Sequence, residues 1–112
     1  MPYRMIATKE IRVPCLFEAP GAIPLNGNTR DLSGQRATMQ SPQLAIAATR
    51  KPRLGDTGVL TLTFRAPGAP RETLKVQARV AHLSGIFLGL QLNLNLLTEP
   101  QKEAFLRLLN TR

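Results

Sequence analysis

The chain has 112 residues, 43% of them apolar and 20% charged, the size and balance of one folded domain, which excludes disorder throughout. No apolar run is long enough to cross a bilayer, and the single cysteine, Cys15, excludes an internal disulfide and a cysteine-built zinc site. Lys and Arg number 15 against 7 Asp and Glu, and the net charge of +8 is spread along the whole chain, a balance that suits an anionic partner or a solvated basic surface.

In chain order, Met1–Glu10 has no apolar signal region, which points to a cytoplasmic protein. Val13, Cys15 and Phe17 alternate with Pro14, Leu16 and Glu18, a strand in which Pro14 marks a start or an edge. Asn26-Gly27-Asn28 carries hairpin-turn chemistry. Leu44-Ala45-Ile46-Ala47-Ala48 reads equally as strand or short helix. Leu60-Thr61-Leu62-Thr63-Phe64-Arg65 alternates strictly, as do Leu74, Val76, Ala78 and Val80 with the polar residues between them. Ala66-Pro67-Gly68-Ala69-Pro70 is the turn between these two strands, and Leu83-Ser84-Gly85 is the next one. Ile86, Leu88, Leu90, Leu92 and Leu94 form a further series. Antiparallel strands joined by short turns predict a small barrel or sandwich. Thr98-Glu99-Pro100-Gln101 has capping-box spacing, and Ala104, Phe105, Leu108 and Leu109 then recur on one helical face, so a helix follows over about 99–110.

Catalytic chemistry finds little support. His82 is the only histidine, no nucleophile elbow, P-loop or dinucleotide fingerprint occurs, and the carboxylates form no marked pair. Cys15 lies in a strand pattern and reads as a small core hydrophobe. The chain is not expected to be an enzyme, and no metal or cofactor is expected. Aromatic residues are 4% with no Trp, which disfavours nucleic-acid binding by base stacking.

Two segments carry the chemical information. Arg12 stands immediately before the first strand, and Asp31 and Ser33 are two residues apart in Thr29-Arg30-Asp31-Leu32-Ser33-Gly34-Gln35-Arg36. In extended backbone Asp31 and Ser33 share a face. A carboxylate accepts the N–H edge of guanine, and an arginine fork donates to guanine N7 and O6 or clamps a phosphate. Asp-x-Ser is also common in turns, where both side chains cap backbone N–H groups.

At these residues the sequence resembles the PilZ domain family, whose signature is an RxxxR motif leading into the first strand and a later [D/N]xSxxG motif. Arg12 matches the second arginine, Asp31 and Ser33 match the second motif, and Gly89-Leu90-Gln91-Leu92 stands in the place of a characteristic late strand. The resemblance covers roughly residues 9 to 110 and departs at two positions, Thr8 for the first arginine and Arg36 for the last glycine. It implies a small antiparallel β-barrel with a C-terminal α-helix: one domain over 1–112, with a flexible segment over 1–11, a barrel over 12–95 and a helix over 98–110. It also implies a receptor for the second messenger cyclic di-GMP, bound by Arg12, Asp31, Ser33 and Arg36. Arg4 and Lys9 are substitutes for the missing arginine, Gly34 is a displaced glycine, and Arg36 either blocks the site or supplies the lost guanidinium. The signal would pass to a partner protein or a fused effector domain. The alternative is a degenerate adaptor that works by protein contacts without nucleotide, docking through the helix or a patch including Leu16 or Phe87. Nucleic acid and membrane insertion are not expected.

Overall fold

A computed structural model describes residues 10–46, 50–65 and 68–110. Six strands form one closed antiparallel barrel: β1 (Pro14–Glu18), β2 (Leu25–Leu32), β3 (Arg36–Gln40), β4 (Thr57–Arg65), β5 (Arg71–Ser84) and β6 (Phe87–Asn93). Their order around the barrel is β1-β2-β3-β6-β5-β4, and β4 pairs back onto β1. A four-residue helix, α1 (Gln43–Ile46), follows β3, and α2 (Glu99–Leu109) follows a 3₁₀ turn at Leu94–Leu96. Of the barrel or sandwich that the alternating runs allow, the structure is the barrel, followed by the C-terminal helix that the capping residues predict.

Alternation decides which side chains fill the interior. Leu60, Leu62 and Phe64 on β4, Leu74, Val76, Ala78 and Val80 on β5, and Leu88, Leu90 and Leu92 on β6 are buried, while their neighbours in sequence are exposed or half-exposed. Phe17, Leu25, Leu32 and Met39 complete the filling from the other three strands. Each such Val, Leu, Phe or Met burial contributes about 1.5–3 kcal/mol, and Ala78 less. Closure leaves no unpaired strand edge, so Pro14 occupies a strand start and not an edge.

α2 has the capping box that its sequence announces. The Gln101 amide donates to Thr98 Oγ1 at 3.3 Å and the Thr98 amide to Gln101 Oε1 at 2.8 Å. Ala104, Phe105 and Leu108 are buried in the common core. Arg107 Nη2 reaches both carboxylate oxygens of Glu72 on β5, at 3.2 and 3.3 Å; so exposed a pair adds little to stability.

Three local expectations change. Leu83 and Ser84 close β5, and the turn falls on Gly85 and Ile86. Asn26-Gly27-Asn28 is no turn but the middle of β2, with Gly27 opposite Cys15. A Cβ at Gly27 would lie 2.0 Å from the Gln40 carbonyl oxygen, so close backbone approach, and not a tight turn, requires the glycine. Leu44-Ala45-Ile46, open between strand and helix, belongs to α1. There the Gln43 Oε1 accepts the Asn26 amide at 2.6 Å and Ser41 Oγ donates to the Asn26 carbonyl at 2.7 Å.

Cys15 is buried on β1, and burial pushes its thiol from the ordinary 9.0 up to about 12. The unfolded chain releases this proton near the ordinary value, while the folded protein still holds it. The thiol's contribution is therefore complete below about pH 9 and is lost as pH rises toward 12, with a slope approaching about 1.4 kcal/mol per pH unit. By about pH 10.5 the protein should have lost about 2 kcal/mol more than a Cys15→Ala variant loses over the same range. Urea denaturation of both proteins across that range measures it, and parallel profiles would show that the thiol ionises in the folded state.

Candidate functional site

The hairpin of β2 and β3 and the chain leading into β1 meet through one buried side chain. Thr29 is 1% exposed. Its Oγ1 accepts the Val13 amide at 2.9 Å and donates to the Ile11 carbonyl at 2.6 Å, and its own amide donates to the Val13 carbonyl at 2.9 Å. Ile11 is buried, so the segment assigned to a flexible tail is docked from this residue onward. Arg12, exposed between Ile11 and Val13, is thereby held alongside β2 next to Thr29.

Just past Thr29 the ladder between β2 and β3 slips by one residue, between Thr29 and Asp31. This bulge leaves both Arg30 and Asp31 half-exposed before Leu32 returns to the core. Arg30 lies over the Phe87 ring, with Cζ 5.3 Å from its centroid. Asp31 is opposite Thr38 on β3, and Arg36, two residues before Thr38, is exposed on the same strand face. Among the described residues, neither Arg12, Asp31 nor Arg36 is held in an ion pair.

Ser33 behaves differently from an extended partner of Asp31. It has left β2, is 6% exposed, and its Oγ accepts the amides of Gln35 at 3.2 Å and Arg36 at 3.1 Å. Its amide donates to the Arg36 carbonyl at 2.9 Å. Both acceptor positions of the hydroxyl are thus taken by the turn, and only its O–H is left to donate. The expectation that Asp31 and Ser33 stand side by side on one extended face gives way to a strand residue followed by a turn residue.

Gly34 has open space around it and no positive φ, so the turn itself does not require glycine there. Nor does Arg36 adopt a positive φ. Its side chain stands on the outer face of β3, opposite Gln91. Arg4 and Lys9, with Thr8, lie outside the described residues.

Sequence reasoning missed Thr29 and Arg30. The signal for Thr29 was slight, a small polar residue two places beyond a glycine. Arg30 becomes visible only once register brings Phe87 across β3. His82 is exposed opposite Gly89, and Leu16 and Phe87 are half-buried on strands three places apart around the barrel, so they make no common patch. Among the described residues no three His, Cys, Asp or Glu side chains gather as metal ligands, and no helix is long and apolar enough to cross a membrane.

The β2–β3 hairpin therefore carries a carboxylate at Asp31 and a guanidinium at Arg36 on one strand face and a hydroxyl donor at Ser33 in its turn, with Arg12 on the adjoining segment beside Thr29 and the Arg30-capped Phe87 ring toward the other end of β3, opposite Gln40. Such a set can clamp an anion while reading an N–H edge beside it. No model of a known protein family matches the chain, and no curated protein matches it either.

Proposed function

We propose that the chain is a PilZ-like signalling domain that binds cyclic di-GMP at the β2–β3 hairpin and passes the signal to a partner protein or fused domain. The observation that carries this reading is the Thr29 bridge, which brings Arg12 to the strand that bears Asp31. In this role Arg12 and Arg36 hold the phosphates and guanine acceptors, Asp31 accepts from the guanine N–H edge, and Ser33 donates its O–H. The closed antiparallel barrel with a C-terminal helix is the architecture this family would have.

Calorimetric titration with cyclic di-GMP tests it. The wild-type protein should bind saturably, and Arg12→Ala or Asp31→Ala should each weaken binding by about one to two decades, the value of one charge-assisted contact. Absence of binding by folded protein well above micromolar ligand would overturn the reading. A second reading, an adaptor without nucleotide, is favoured by Thr8 in place of an arginine and by the Ser33 hydroxyl being engaged within its own turn. It expects the same partner protein to be recovered with and without cyclic di-GMP.

A further inference from the structure

The outer faces of β3, β6, β5 and β4 form a continuous surface of one charge sign. Arg71, Thr73, Lys75, Gln77 and Arg79 of β5 are exposed in alternation with the buried core residues. Register carries the surface across the strands: Arg36 is opposite Gln91, Gln91 opposite Arg79, and Arg79 opposite Thr57. Arg65 and Arg71, both exposed, are paired directly, a like-charge contact that an anionic partner would relieve. Glu72 is the one carboxylate on these four strands, and there it falls in the inward register and meets Arg107.

We propose that this face docks an acidic segment of a partner protein. At about 4.8 Å between strands and about 3.4 Å per residue, the four strands present a tapering face of about 570 Å². That is short of the roughly 800 Å² per partner of a standard protein interface but suits a short docked segment, and it exceeds a small ligand. Two shallow hollows share Gln91. One, of about 460 Å³, is lined by Arg79, Gln77, Asn93, Asn95 and Thr57 among others, and the second, of about 470 Å³, includes Arg36, Thr38 and His82. Side-chain amides offer donors and acceptors together, which suits peptide groups; a phosphodiester backbone presents acceptors only. Of the two rings on this face, Phe87 is covered by Arg30 and only the His82 imidazole is exposed, so successive bases find no row of open stacking platforms. The guanidinium groups supply bidentate partners for carboxylates.

The test uses a fluorescent peptide of alternating Glu and Ser, and an oligothymidylate of matched charge, followed by anisotropy at low salt without cyclic di-GMP. The triple variant Arg71→Gln, Lys75→Gln, Arg79→Gln should weaken peptide binding about tenfold or more. The variant Arg50→Gln, Lys51→Gln, Arg53→Gln removes the same net charge from a loop outside this face and should leave binding nearly unchanged. The proposal is overturned if the peptide does not bind, if both triple variants weaken it equally, or if the oligothymidylate binds more tightly through the β5 residues. None of the substituted residues belongs to the hairpin site, so this result and the cyclic di-GMP titration stand or fall separately.

Discussion

Gly27→Ala should unfold the protein at markedly lower urea concentration, at a cost of about 3 kcal/mol or more, the upper end of what overpacking does. The added methyl would sit 2.0 Å from the Gln40 oxygen and 2.9 Å from its carbonyl carbon, and both are backbone atoms that no side-chain rotation moves away. Relief requires β2 to part from the chain that leaves β3, which would also disturb the Asn26 bonds to Ser41 and Gln43. Gly34→Ala is the matched control. Its methyl meets nothing within 4 Å and its φ is not positive, so its midpoint should stay close to the wild type. Similar losses in the two variants would mean that contact with the Gln40 carbonyl does not set the cost at Gly27.

Thr29→Val preserves shape and removes the hydroxyl that joins Ile11 and Val13 to β2. The Ile11 carbonyl and the half-buried Val13 amide both lose a partner; a buried polar group left alone costs about 1–3 kcal/mol and the half-buried one less, so the expected loss is about 2–4 kcal/mol. The segment bearing Arg12 then loses its register, and cyclic di-GMP affinity should fall although the valine occupies the same volume. Thr29→Ser retains the hydroxyl and should lose about 1 kcal/mol of packing while keeping affinity. Amide exchange at Val13 reads the docking directly. Unaltered protection there in Thr29→Val would separate the hydroxyl from the placement of Arg12.

Strands β4, β5 and β6 were legible because each has one wet face and one dry face, and strict alternation then has a single reading. α2 was legible because its capping residues act on the nearest turn and need no tertiary partner. β2 was not. Its outward and inward residues are nearly all polar or small, from Asn26 to Asp31, so no hydrophobic period marks it. Asn-Gly chemistry serves a tight turn and a close strand crossing alike, and only the chain overhead distinguishes them. The bulge past Thr29 then shifts the face count by one residue, which no count along the sequence can show. For that reason Arg12 and Asp31 were found as types, but their relation to each other, the turned-in Ser33 and the Arg30–Phe87 stack were not.

The strand order divides the barrel into two three-stranded meanders, β1-β2-β3 from the first part of the chain and β4-β5-β6 from the rest. Their strands pair along two seams, β1 with β4 and β3 with β6, and their inner faces share one core. The hairpin that carries Asp31 belongs to the first meander, whereas Arg65, Arg71, Lys75 and Arg79 belong to the second. Receiver and output would thus draw mainly on different pieces of chain, with β3, which carries Arg36, belonging to both. A message between them has a five-residue border to cross, from Arg36 opposite Gln91 to Gln40 opposite Phe87. Loosening that border at residues other than Arg36 would weaken the coupling of the two halves and leave the β1–β4 seam as their remaining paired border.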